Sequence, residues 1–190
     1  MRDVRVCIEP LPAHDSLGTL LVTPDERTAV CGFGSERRRA EYLMWRHMVR
    51  RELGADTEIG YDAVGAPLLT NRTEHIGVSH SSQYAAVIIS DRRCAIDIES
   101  LARNFLHISS RYISPSERLL SDDPRLPAAL WCAKETLYKY SGLRELDLLN
   151  DICIEKVDFG RKIIVGRICG GDATELRMME YHGHLVVYIG

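Results

Sequence analysis

Cys94-Ala95-Ile96-Asp97-Ile98-Glu99 is an apolar run that ends in acid, and Trp131-Cys132-Ala133-Lys134-Glu135-Thr136-Leu137-Tyr138-Lys139 is its counterpart further along the chain. The first reads as a short buried strand. Strand side chains alternate between faces, so Asp97 and Glu99 point the same way. The second reads as a helix, where residues four apart share a face, so Glu135 stacks one turn before Lys139. If strand and helix pack together, three carboxylates and one ammonium converge. Carboxylates alone would repel one another and resist burial. A hard divalent cation resolves the conflict, because Mg²⁺ takes oxygen ligands, keeps several waters and shares its shell with substrate phosphates. The expected metal ligands are therefore Asp97, Glu99 and Glu135, with Lys139 beside a phosphate. The plainer alternatives are strand-end acids facing water and an i,i+4 surface pair worth about 0.3–0.5 kcal/mol. Trp131 lies on the same stripe, one turn before Glu135, so this face should meet protein. Trp131 itself reads as core packing.

Two earlier segments suit phosphate. Val78-Ser79-His80-Ser81 ends an apolar strand in hydroxyls and an imidazole, which donates hydrogen bonds and can carry charge. Arg37, Arg38 and Arg39 open a helix, where cations oppose the macrodipole. A bound anion would select them, since guanidinium grips phosphate in bidentate fashion; a solvated basic turn is the alternative. Arg50 and Arg51 read as surface. Lys134 sits about 100° around its helix from Glu135 and reads either as solvent-facing or as a phosphate contact. His182 and His184 flank Gly183 and read as a solvent-exposed turn, although a metal site is conceivable.

The rest of the chain has an α+β order. Val4, Val6 and Ile8 alternate as in a half-buried strand. Thr23-Pro24-Asp25-Glu26 is a capping box with proline at the first helical position. Ser35 caps a helix expected to run to Leu53 and stop at Gly54, with Ala40, Leu43, Met44 and Met48 as its apolar stripe. His75–Ser79 and Tyr84–Ser90 read as strands. The acidic strand follows, then a helix near Leu101–Tyr112 and a second capping box at Ser114-Pro115-Ser116-Glu117. The helix carrying Glu135 should start after Pro124 or Pro127 and end at Gly142. Four strands close the pattern: Ile152–Val157, Lys162–Cys169, Glu175–Tyr181 and Leu185–Ile189, with hairpin turns at Asp158-Phe159-Gly160 and His182-Gly183-His184.

At 190 residues the chain can bury a substantial core. A 45% apolar, 27% charged composition is that of an ordinary soluble globular protein. A net charge of −3 argues against a general nucleic-acid binder. Cys7, Cys31, Cys94, Cys132, Cys153 and Cys169 show no C-x-x-C or zinc-like spacing and read as free, mostly buried thiols. Met1 to Pro10 is charged and lacks the apolar core of a secretory leader. No run reaches the roughly 18 apolar residues of a membrane span.

These stretches together resemble the 4'-phosphopantetheinyl transferases, whose signature is Gly-Ile-Asp-x-Glu followed by Trp-Ser-x-Lys-Glu-x-x-x-Lys. Here they stand as Ala95 to Glu99 and Trp131 to Lys139, with Ala95 for Gly and Cys132 for Ser. Val78 to Ser81 resembles the family's Ser-His-Ser element. Arg37 to Arg46 resembles its arginine-rich helix, and Arg111 to Glu117 its Arg-Phe-hydrophobic-Ser-x-x-Glu segment. The resemblance runs in order from roughly residue 33 to residue 145. One departure is Gly65-Ala66-Pro67, where the family often has Gly-Lys-Pro with the lysine on coenzyme phosphate.

The resemblance implies an α+β fold of two pseudo-symmetric halves, residues 1–93 and 94–190, with the active site in the cleft between them. The length fits the two-half, surfactin-synthetase-activating type, a cytoplasmic monomer. It implies Mg²⁺-dependent transfer of the phosphopantetheine arm of coenzyme A to a serine of an apo acyl or peptidyl carrier protein, releasing adenosine 3',5'-bisphosphate. Asp97, Glu99 and Glu135 would hold the metal, and Asp97, Glu135 and Lys139 would serve catalysis. Arg37, Arg38, Arg39, Ser79, His80 and Lys139 would bind the coenzyme. Lys134 could also touch the carrier protein, and no nucleic acid or membrane is expected as partner. A metal-dependent nuclease or phosphodiesterase, or a non-catalytic carrier-binding relative, is the alternative.

Overall fold

A computed structural model describes residues 4–190; Met1 to Asp3, part of the charged opening stretch, lie outside it. Strand β1 (Val4–Pro10) is followed by helices α1 (Pro24–Cys31) and α2 (Glu36–Leu53). Strands β2 (Ile59–Tyr61), β3 (Pro67–Leu69), β4 (His75–His80), β5 (Tyr84–Ser90) and β6 (Ala95–Ser100) come next. Helix α3 (Leu126–Ser141) precedes β7 (Ile152–Asp158), β8 (Ile163–Ile168), β9 (Thr174–Tyr181) and β10 (His184–Ile189). The architecture is α+β, and every strand pair is antiparallel. One sheet has the order β1-β5-β4, a second β6-β10-β9-β8-β7, and β2-β3 form a short ribbon.

The first sheet is covered by α2. Ser35 accepts the Arg38 N–H at its start, and Gly54, at φ +113°, ends it. Leu43, Met44, Met48 and Val49 meet Val87 and Ile89 in one apolar cluster. Helix α1 is fixed by its capping box: Thr23 Oγ1 accepts the Glu26 N–H and Glu26 Oε2 accepts the Thr23 N–H. Glu26 has a second task. Its carboxylate takes Arg50 in a bidentate pair at 2.7 and 2.9 Å, and Arg46 at 3.3 Å. Arg50, expected at the surface, is therefore buried at 3% exposure. Arg46 lies over the Tyr42 and Trp45 rings, a packed cation rather than a free one.

Helix α3 covers the second sheet, with Leu130, Ala133 and Leu137 packed against Ile154, Leu176, Leu185 and Val187. Pro127 stands in its first turn and Gly142, at φ +65°, ends it. The sheets meet where β4 passes β6. Gly77 is required there, since an added Cβ would lie 2.8 Å from Ile88 Cγ2 and 3.0 Å from Ala95 Cα. Ile88 from one sheet and Ile96, Ile98 and Val186 from the other share one buried cluster.

Some expectations fail locally. Leu101–Tyr112 is not an α-helix; it holds a 3-10 turn at Phe105–Arg111. Asn104 Oδ1 accepts the His107 N–H and Ser109 Oγ donates to the Leu106 carbonyl, so side chains compete with the helical ladder. The reciprocal bonds of the Ser114–Glu117 box exist, but only a 3-10 turn, Glu117–Leu119, follows. The cysteines are free, yet Cys31, Cys153 and Cys169 are exposed, and only Cys94 and Cys132 are buried. Among the described residues no helix is long and apolar enough to cross a membrane.

Candidate active site

Asp97 sits in the middle of β6 and is 5% exposed. Its Oδ1 accepts the Ser79 hydroxyl at 2.8 Å and the Lys139 ammonium at 2.7 Å. Lys139 also donates to Ser79 Oγ at 3.2 Å and to the Ile96 carbonyl at 3.1 Å. Three elements, β4, β6 and α3, thus meet at one oxygen, across the seam between the sheets. The other oxygen, Oδ2, is buried and has no hydrogen-bond partner. A buried, unpaired carboxylate oxygen is costly, which makes it a natural acceptor for a cation.

Glu99 lies two residues on, along the same strand face. Its Oε1 accepts the Trp131 indole N–H at 3.1 Å and pairs with Arg103, whose guanidinium lies 4.7 Å over the Trp131 ring. Trp131 also meets Tyr112 edge-on at 5.1 Å. It is therefore half-buried packing, as expected, with a polar tip aimed at an acid. Glu135 makes no side-chain hydrogen bond or ion pair among the described residues. Burial pushes the Glu135 carboxyl above its ordinary range, Asp97 pushes it further, and Lys139 and Arg103 oppose. Glu99 is raised first by burial and then by Asp97, against Arg103, the Trp131 bond and Lys139. Burial likewise holds the Cys132 thiol neutral, with Asp97 and Glu99 adding to the effect.

Glu99 and Glu135 each feel the charge of Asp97, without the three forming a closed cage. Among the described residues no three His, Cys, Asp or Glu side chains stand together as a preformed metal cluster. Lys139 and Arg103 hold two of the carboxylates. The residues still fit a hard cation: the donors are all carboxylate oxygens, one is orphaned, and a second acid is unpaired.

Two pockets flank this centre. The larger, about 710 Å³, is lined by Arg37, Arg38, Glu41, Tyr61 and His80 among others. Glu41 Oε1 takes both Arg37 Nε at 2.7 Å and His80 Nδ1 at 3.4 Å. Burial lowers the His80 pKa; Glu41 opposes this, while Lys139 and Arg37 add to it. The smaller pocket, about 280 Å³ and mostly apolar, is lined by Ala66, Gly77, Ile96, Tyr138, Lys139 and Leu143 among others. Ser79 and His80, adjacent on β4, connect the larger pocket to Lys139 and thereby to the smaller one.

Arg39 turns aside: its Nε donates to the Phe33 carbonyl at 3.0 Å, and it lines neither pocket. Ser79 is bound to Asp97, so it anchors the acid. Lys134 is neither solvent-facing nor a ligand contact. It is fully buried and pairs with Glu117 at 2.8 Å. His184, expected in an exposed turn, is 1% exposed, because it already begins β10 opposite Ser100. Sequence reasoning missed Glu41, Arg103 and the Trp131–Glu99 bond. Glu99 and Arg103 are four residues apart, but across a strand end, where helical spacing is no guide.

Residues 93–182 match the family model described as the 4'-phosphopantetheinyl transferase superfamily. The match includes Asp97, Glu99, Glu135 and Lys139; Arg37, Arg38, Ser79 and His80 precede it. None of the curated proteins compared matches the chain.

Proposed function

Taking residues 93–182 as a domain of the 4'-phosphopantetheinyl transferase superfamily, we propose that the protein moves the phosphopantetheine arm of coenzyme A to a serine of an apo acyl or peptidyl carrier protein. The observation that carries this reading is the Asp97–Lys139 pair, set between an arginine-lined pocket and an apolar one. A diphosphate ester with a polar nucleotide at one end and a long, weakly polar arm at the other suits that layout.

Arg37, Arg38 and His80 would hold coenzyme phosphates through charge-assisted bonds. The arm would run past Lys139 into the apolar pocket. Asp97, Glu99 and Glu135 would hold a divalent ion, Mg²⁺ by donor type; when bound, it supplies charge stabilisation for the diphosphate and its leaving oxygen. Lys139 would neutralise charge on the phosphoryl group under attack. The bond from serine oxygen to phosphorus forms, the diphosphate bond breaks, and adenosine 3',5'-bisphosphate departs. Glu135 takes the serine proton, helped by burial and Asp97, which raise its carboxyl above the ordinary range. Positioning and charge do most of this work. Because one chain supplies both sides of the site, the protein acts as a monomer, and its setting is the cytoplasm.

The test is incubation with coenzyme A, Mg²⁺ and a panel of apo-carrier proteins, read by intact mass. A mass gain equal to the arm, lost on chelation, is the expected result. No gain on any carrier, together with cleavage of labelled DNA or RNA, would overturn it. Sedimentation reads the oligomeric state.

A further inference from the structure

We propose a second anion site, built on Arg92, Arg93 and Arg177, that binds a small organic molecule bearing two or more phosphate or carboxylate groups. These three side chains line a concavity of about 700 Å³ that shares no lining residue with the two pockets of the candidate active site. Its volume falls within the range of roughly 300–1,000 Å³ typical of small-molecule sites.

The charge balance is the first argument. Among the described residues, three guanidinium groups face one side-chain carboxylate, Glu175, in a cavity that Val4 and Gly190 also line. The chain as a whole carries −3, so this is a local reversal of sign. The cations come from two places: the β5–β6 connection gives Arg92 and Arg93, and β9 gives Arg177. Such convergence is unfavourable unless something compensates it. The protein compensates only weakly. Glu175 meets Arg177 at 3.3 Å with both side chains more than half exposed, and Asp91 meets Arg92 at 3.8 Å. Exposed pairs of this kind are worth about 0–1 kcal/mol. Arg93 has no carboxylate partner among the described residues.

The placement is the second argument. Arg93 lies over the Tyr140 ring at 5.5 Å and against Gly142, where an added Cβ would collide with Arg93 Nη2. The negative end of the α3 dipole explains one cation there, not three. The Arg92 N–H is held by Ser90 Oγ at 3.2 Å. Arg177 is the register partner of Tyr188 on β10, and Tyr188 and Tyr140 both line the cavity. Two phenol rings beside three guanidinium groups suit an organic polyanion better than a lone ion.

Calorimetric titration of the full chain at low salt tests this, with inorganic pyrophosphate and citrate as probes and acetate as control. Pyrophosphate alone would mark a phosphate site, and both probes a general polyanion site. Arg93→Ala/Arg177→Ala should weaken probe binding by at least about tenfold, while Arg37→Ala/Arg38→Ala leaves this component intact. Glu175→Gln removes the competing carboxylate and should tighten binding without threatening the fold. The proposal fails if all probe binding disappears with Arg37→Ala/Arg38→Ala, or if Glu175→Gln leaves affinity unchanged or weaker.

Discussion

Helix α3 carries two lysines, each paired with a buried acid, and the two pairs differ in how fully the acid is satisfied and in how open the lysine is to solvent. Glu117 uses both oxygens fully. Lys134 donates to the carboxylate, Ser114 N–H reaches Oε2 and Ile154 N–H reaches Oε1. The pair is shut away at 0% and 1% exposure. Asp97 uses one oxygen, taken by Ser79 and Lys139, and leaves the other bare; its lysine is one-third exposed. A saturated pair locks α3 to the second sheet. An unsaturated pair with an open side can exchange partners. A lysine–carboxylate pair thus builds a fixed joint in one place and the candidate site in the other, and the count of unmet hydrogen bonds separates them.

The strongest way to break this comparison is to strip each lysine. Lys134→Met strands a buried carboxylate and should cost roughly 3–5 kcal/mol in denaturant unfolding. Glu117→Gln in the same chain should recover part of that loss. Lys139→Met should cost clearly less, because Lys139 is one-third exposed and water can reach the vacated side, and should abolish most transfer. Equal stability losses from the two lysines would end the distinction.

Next in size come the acids. Asp97→Ala and Glu135→Ala should each reduce carrier modification at saturating Mg²⁺ by at least about 100-fold, with unchanged circular dichroism. Near-normal transfer by either would remove the metal assignment.

A smaller effect concerns pH. Burial and Asp97 raise the Glu135 carboxyl above its reference value of 4.5, so the folded state takes up that proton before the unfolded chain does. Ionising Glu135 therefore costs stability once pH rises through the raised folded value, and the cost vanishes as pH falls toward 4.5. In chelator, Glu135→Gln should melt above wild type at about pH 7.5, with the gap closing near pH 5. A gap independent of pH would mean that Glu135 is not strained.

The smallest effect is at Ala66, whose N–H is held by Asp62 in an exposed turn at the rim of the apolar pocket. Ala66→Lys should lower the KM for coenzyme A by no more than about 1–2 kcal/mol and make it salt-sensitive, with kcat little changed. His80→Ala should raise KM.

What was legible in the sequence was what is local. The caps at Thr23 and Ser35, the stop at Gly142 and the acidic alternation in β6 depend on neighbours within one turn or one strand. The joints were not legible. Nothing near Lys134 distinguishes it from a surface lysine, since Glu117 meets it only through tertiary packing. Arg50 was misread for the same reason, because Glu26 lies on another helix. The bond from Ser79 to Asp97 was equally illegible, because it crosses the seam between the sheets. The expected helix over Leu101–Tyr112 failed because hydroxyl and amide side chains there offered the backbone other partners.

The pairing of β6 has a further consequence for how the molecule is made. Within its sheet, β6 bonds only to β10: Ala95 lies opposite Ile189 and Ser100 opposite His184. A growing chain emerges at about 5–20 residues per second, so the strand bearing Asp97 and Glu99 waits several seconds for its neighbour. The first sheet needs nothing beyond Ser90 and can close much earlier. During synthesis the arginine pocket can therefore be finished while the acids are still unpaired, and the candidate active site is among the last features to assemble.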